Sequence, residues 1–198
     1  MAGVRRLVTR PVVIAAVVVA VVAAGLGLYW FQPWKLVTNE TVSEALPGAS
    51  APPAAAPTGD PGNPAADPSA TPSQAPSAPA GPATVSSGTL ISHEHTTTGD
   101  VRIVRLADGS RVLRLENLDT SNGPDLRVWL TDAPVIEGKD GWHVFDDGAY
   151  VSLGKLKGNK GDQNYVLPAD LDLNRYTSVS IWCDRFDVSF GAAALKAA

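Results

Sequence analysis

The stretch VRIVRLADGSRVLRLE, residues 101–116, carries two runs of branched apolar and charged residues on either side of a turn signal. Asp108-Gly109 lies between the runs, and this dipeptide favours the tight turns that join neighbouring antiparallel strands. In the second run Leu113 and Leu115 share one face, because successive side chains of a strand alternate between its two faces. The stretch therefore predicts a β-hairpin, with strands over 101–106 and 110–116.

Similar short runs follow toward the C-terminus, at 126–130, 150–153, 164–167 and 178–190, separated by Gly- and Asp-containing turns. No stretch of this part of the sequence has a sustained 3.6-residue period that ends in helix caps. Strands at this spacing are typical of two packed antiparallel sheets. Residues 88–198 are therefore predicted to form an all-β domain, an antiparallel β-sandwich or barrel.

The segment before this domain has a different composition. Residues 43–87 are dominated by Pro and Ala with Gly, Ser and Thr, and they contain no aromatic residue, Lys or Arg. Such a segment buries too little apolar surface to offset its ordering entropy. Residues 32–87 are therefore predicted to be a disordered extracytoplasmic linker, in which the Pro- and Ala-rich part over 43–87 reaches on the order of 140 Å in polyproline geometry.

The N-terminus has the pattern of a membrane anchor. Residues 12–31 are an uncharged apolar run, and about 20 such residues cross a hydrocarbon core of ~30 Å. Arg5, Arg6 and Arg10 precede the run within a basic tail over 1–11, which places that tail in the cytoplasm and the β domain outside the cell membrane. A cleaved signal peptide ending near Val22-Ala23-Ala24 is the alternative.

Charge excludes one class of partner. The 198-residue chain carries 16 Lys and Arg against 20 Asp and Glu, a net charge of −4. The basic residues form no stripe of the kind that follows a phosphate backbone. No nucleic-acid partner is expected.

Cys183 is the only cysteine, so it has no intramolecular disulfide partner. It is a buried inert thiol, an exposed reactive thiol, a ligand, or one half of a disulfide-linked homodimer. Val179, Ile181 and Cys183 share one face of a predicted strand, whereas Phe186, Val188 and Phe190 follow with the opposite parity. A turn or bulge near Asp184-Arg185 is therefore expected, with Cys183 at a strand end on the core side.

His93 and His95 are separated by one residue, and on a strand this spacing places both rings on one face, as a metal pair requires. Two histidines with Cys183 resemble the ligands of copper electron-transfer sites. No histidine follows Cys183, however, and the only methionine is Met1. Copper or haem at His95 and Cys183, with His93 as a weaker candidate, is kept beside the alternative of solvated loop histidines.

Three separated motifs occur in order: NGPDL at 122–126, LGKLKGNKGDQNY at 153–165 and SVSIWCDRFDVSFG at 178–191. Together with GTLI at 88–91 and HTTTG at 95–99, they resemble the DM-thirteen domain, an electron-transfer domain found alone in bacteria or beside DOMON domains in animals. The resemblance implies a β-rich extracytoplasmic module of a bacterial membrane-anchored protein. It also implies that Cys183 is the family's characteristic cysteine and that His95 matches a family histidine.

Two functions follow as hypotheses. The first is a membrane-anchored redox or electron-transfer module that uses Cys183, with an unidentified redox partner in the envelope. The second is a non-catalytic adhesion module that binds an envelope glycan or protein through Trp129, Trp142 and Trp182. A classical enzyme is not favoured, because no Ser-His-Asp order or paired carboxylates can be recognised.

Overall fold

The computed structural model describes residues 10–48 and 81–198. The first element is helix α1, Arg10–Phe31, followed by a 3-10 turn at Pro33–Val37. Eleven strands follow: β1 Thr41–Ser43, β2 Ala83–Thr89, β3 Ile91–Ser92, β4 Thr98–Arg105, β5 Arg111–Asp119, β6 Leu126–Thr131, β7 Tyr150–Lys155, β8 Lys160–Val166, β9 Ser178–Cys183, β10 Val188–Ala194 and β11 Lys196–Ala197. A further 3-10 turn lies at Lys139–Gly141.

The strands form two sheets, with orders β1-β8-β5-β4-β2-β11 and β3-β10-β9-β6-β7. The pairing of β1 with β8 is parallel, and the other pairings of the described strands are antiparallel. The core lies between the sheets, where fully buried side chains of β4 and β5 join those of β6 and β9: Val101, Ile103, Leu113, Leu115, Val128, Leu130, Val179 and Ile181. The predicted hairpin and the predicted sandwich are both confirmed.

Helix α1 begins two residues before the predicted apolar run and ends with it at Phe31. It is one helix in the described ranges that is long and apolar enough to cross a membrane. Its valine side chains are largely exposed, Val19 for example by 68%. A helix with this apolar exposure requires a covering that the β domain does not supply.

The predicted bounds of the linker, residues 32 and 87, are both wrong. Strand β1, Thr41–Ser43, lies inside it and pairs with β8, and strand β2 begins at Ala83 rather than at Gly88. Residues 49–80 lie outside the described ranges. The first sheet therefore takes in a strand from the segment directly after helix α1, which the composition of that segment did not indicate.

Strand β1 is held by side chains and by close backbone contact. The Glu44 carboxylate accepts hydrogen bonds from Lys157 Nζ at 2.7 Å and from the Asn164 N–H at 2.7 Å. Gly161 has a φ of +91°, and a Cβ there would lie 2.0 Å from the Val42 carbonyl oxygen. The glycine-rich segment at 153–165 contains the end of β7, the turn over 156–159 and most of β8, and β1 pairs with the start of β8.

Candidate functional site

Cys183 is the last residue of β9 and pairs with Val188 of β10 and Leu126 of β6. Its side chain is fully buried and packs in the core with Val179 and Ile181. The chain then turns through 184–187 before β10 begins. The position of Cys183, at a strand end on the core side, agrees with the alternation of the sequence. Phe186, which the same alternation placed on the core side, is 40% exposed and belongs to the turn.

Opposing influences act on the pKa of the Cys183 thiol. Burial raises the pKa of Cys183, since the thiolate loses its hydration. The backbone N–H groups of Arg185, Phe186 and Asp125 lower that pKa, and the negative charge of Glu94 raises it. Burial is the largest of these influences, so the thiol is protonated in this arrangement.

A cavity of about 390 Å³ lies beside this strand end. Its domain side includes Glu94, His95, Phe186 and Phe190. Phe186 joins the cavity to the cysteine, because its N–H donates to the Cys183 carbonyl oxygen at 3.2 Å and its side chain lines the cavity. The exposed turn that follows Cys183 therefore lines the cavity and is hydrogen-bonded through its backbone to the strand end that carries the thiol.

His95 belongs to this cavity. Its ring packs on Phe190 with centroids 3.9 Å apart, and its Nε2 lies 3.8 Å from a Glu94 carboxylate oxygen. The side chain is 28% exposed. Of the two histidines proposed as ligands, this one lines the space next to Cys183.

His93 points elsewhere. Strand β3 ends at Ser92, so the premise that both histidines share one strand face is wrong. The His93 ring is buried, with Nδ1 2.9 Å from Ser189 Oγ and Nε2 3.1 Å from the Ile136 carbonyl oxygen. The expectation of a solvated loop histidine is also wrong for this residue. Burial lowers the pKa of His93, and the hydrogen bond to Ile136 raises it by less.

The described residues form no group of three or more His, Cys, Asp and Glu side chains that could hold a metal. Both ring nitrogens of His93 have protein partners, which is unsuited to ligation. Copper or haem held by His95 and Cys183 stays a prediction, and no step proposed below depends on it.

The tryptophans do not form an exposed platform. Trp129 and Trp182 are buried and stack with ring centroids 4.9 Å apart. Phe145, from the segment between β6 and β7, packs with them in one buried cluster, and its ring lies in a T-shaped arrangement with that of Trp182, with centroids 6.4 Å apart. The predicted sugar platform is therefore wrong for these two residues. In the sequence, two apolar residues inside a charged segment, Val144 and Phe145, indicated that this segment packs against the domain.

Arg185 was not predicted as a site residue. Its guanidinium donates to the carbonyl oxygens of Trp30 at 2.6 Å and Tyr29 at 3.1 Å. The last carbonyls of a helix have no intrahelical partner and carry partial negative charge, so a cation there is favourable. The adjacent Phe186 stacks on Phe31 at 5.8 Å. The turn after Cys183 thus joins the β domain to the end of α1.

Comparison with known proteins gives one family. The family described as Electron transfer DM13 matches residues 89–195, which cover strands β3 to β10 and include Cys183 and His95. No curated protein and no solved structure matches the chain.

Proposed function

This chain belongs to the electron-transfer DM13 family, and on that premise we propose that it is a membrane-anchored redox module in which Cys183 changes oxidation state. Helix α1 is the anchor, and the arginines before it hold the N-terminus in the cytoplasm and the β domain outside. The family match supports the electron-transfer role. The environment of the one thiol in the sequence supports the choice of residue.

The single observation that carries this choice is the position of the thiol: Cys183 is fully buried, yet it is the last residue of β9 and directly precedes the exposed turn at 184–187. Burial raises the pKa of the thiol, whereas backbone N–H groups lower it. Opening of the turn, which carries Phe186, admits water to the sulfur and removes the main opposing influence. The same movement therefore exposes Cys183 and lowers its pKa, so the cysteine is reactive only when the turn is open.

In the open state the Cys183 thiol gives its proton to water, and the thiolate attacks an exposed disulfide of an envelope partner protein. A new S–S bond forms to Cys183 while the partner's S–S bond breaks. The second partner sulfur leaves as a thiolate with the bonding electron pair, so Cys183 is oxidised and that sulfur is reduced. A disulfide-linked homodimer through Cys183 requires the same opening.

The test is thiol labelling of the full chain in lipid nanodiscs. We expect a maleimide to react with native Cys183 far more slowly than with the unfolded protein, because the side chain is fully buried. Phe186→Ala is expected to raise the native rate, on the order of tenfold, because it removes the stacking on Phe31 that holds the turn after Cys183 in place. The matched control is Val166→Ala, which truncates another exposed apolar side chain, on β8.

Cys183→Ser is expected to fold normally, as shown by its denaturation midpoint, and to lose mixed-disulfide formation with a small disulfide reagent. The proposal is overturned if wild-type and Phe186→Ala proteins both stay unlabelled and form no mixed disulfide under native conditions. It is equally overturned if Phe186→Ala and Val166→Ala label at the wild-type rate, since the turn would then not control access.

A further inference from the structure

The cavity beside Cys183 is built from two parts of the chain. The domain supplies the residues described above, and the end of the anchor supplies Phe31, Pro33 and Lys35. Its volume of about 390 Å³ falls within the range of small-molecule sites, about 300–1,000 Å³. A space of this size accommodates one ring-sized ligand.

The two walls are held in a fixed relation. Arg185 is bonded to the last carbonyls of α1, and Phe186 is stacked on Phe31. If α1 crosses the membrane, as the proposed function states, its C-terminal end lies at the outer boundary of the hydrocarbon core. The cavity then lies at the depth where a lipid-soluble molecule presents its polar headgroup.

The lining is suited to a flat conjugated ring. Phe31, Phe186 and Phe190 offer aromatic faces, which favour stacked and edge-on contact with another ring. Lys35 and His95 place nitrogen donors in the same cavity, and Glu94 places a carboxylate there. A ring that carries carbonyl oxygens satisfies both the stacking surfaces and the donors.

An anionic lipid headgroup fits less well. The Glu94 carboxylate repels a phosphate, and the Arg185 guanidinium is already bonded to helix carbonyls. Lys35 alone would have to balance that charge. A neutral ring with carbonyl acceptors requires no such balance.

We infer that this cavity binds the headgroup of a lipid-soluble quinone, with its ring among the phenylalanines, its carbonyl oxygens accepting from Lys35 and His95, and its tail along the apolar surface of α1. The inference rests on the proposed membrane anchor. It supplies a ligand class for the electron-transfer module and places that ligand beside the turn that follows Cys183.

The experiment measures binding of a decyl-benzoquinone to the full chain in nanodiscs made of neutral lipid, by quenching of tryptophan fluorescence. We expect Lys35→Gln to weaken binding about tenfold, because a hydrogen bond to a charged group is lost. Phe186→Ala is expected to weaken it by a similar factor through lost stacking. Lys196→Gln, which removes the same charge at the C-terminal edge strand β11, is the matched control and is expected to bind as the wild type does.

Three results overturn the inference. One is equal quenching in wild-type and Lys35→Gln proteins, and another is equal affinity for decylbenzene, which has the tail but no carbonyl oxygens. The third is full competition by anionic lipid added to the discs, which would identify a headgroup site. Cys183→Ser separates this inference from the proposed function, because it abolishes mixed-disulfide formation but is expected to bind the quinone with wild-type affinity.

Discussion

At the scale of single residues, burial and hydrogen bonding decide which candidate side chains are available for chemistry. Cys183 and His93 are both buried, but their surroundings differ. The cysteine ends strand β9 next to a turn that lines a cavity, whereas both nitrogens of His93 are bonded within the protein. His93 is therefore a structural histidine, and its effect should be seen in stability.

The pKa of His93 lies below its ordinary value of 6.5 because burial opposes the charged ring. The unfolded chain then binds more protons than the folded chain between the lowered pKa and 6.5, so acid favours unfolding. The stability due to the neutral ring is complete above 6.5 and is lost as pH falls below it. We expect His93→Gln to reduce this dependence in urea denaturation measured across that range.

His143 provides the control for that measurement. Its side chain is exposed, with Nδ1 2.6 Å from the Asp187 carbonyl oxygen. His143→Gln makes the same substitution at an exposed histidine and controls for the substitution itself. If His93→Gln retains the full wild-type dependence, the assignment of this effect to His93 is wrong.

At the scale of elements, the important feature is the seat of β1 on β8. Buried Arg114 of β5 reinforces it, donating to the Glu44 carbonyl oxygen at 2.9 Å and to Asp162 Oδ2 at 2.7 Å. The Glu44 carboxylate is stabilised mainly by Lys157, which lowers its pKa. The strand that follows helix α1 is therefore fixed to the β domain by backbone hydrogen bonds, ion pairs and close packing.

Gly161→Ala tests this seat. An alanine at φ +91° costs about 1–2 kcal/mol on its own, and its Cβ would also overlap the Val42 carbonyl. Gly154→Ala is the matched control, because Gly154 has a φ of +107° and open space around it. Both variants should lose stability, but only Gly161→Ala should increase hydrogen exchange at residues 41–43. Equal hydrogen exchange at residues 41–43 in the two variants would contradict the proposed role of Gly161 in holding β1 on β8.

At the scale of the whole molecule, β1 changes the role of the Pro- and Ala-rich segment. Strands β1 and β2 belong to one sheet, four strand spacings apart, so these two strands lie about 20 Å apart. Residues 49–80 therefore connect two strands of the same sheet. The distance between helix α1 and this sheet is set by residues 32–40.

Replacement of residues 49–80 by about twelve Gly and Ser residues tests this arrangement, since these reach about 40 Å when extended. We expect the variant to fold and to be stabilised by up to about 1 kcal/mol, because a shorter loop costs less entropy to close. The distance from the β domain to the lipid, measured by energy transfer, should not change. A domain that moves toward the membrane in this variant would show that the segment acts as a spacer.

The sequence by itself determined the β-sandwich, the apolar helix and the strand-end position of Cys183. Each of these depends on local periodicity or on an unbroken apolar run, which are readable along the chain. The alternation in residues 101–116 and 178–183 was sufficient to place the core.

Only the tertiary structure decided the boundary of the linker, the burial of His93 and of the two stacked tryptophans, and the role of Arg185. These depend on contacts between segments far apart in sequence, such as Val42 with Gly161 and Trp30 with Arg185. In neither segment does the local sequence pattern indicate which distant residue it contacts. Whether a thiol is covered, and by what, is therefore fixed by the way distant segments pack and not by the residues beside it.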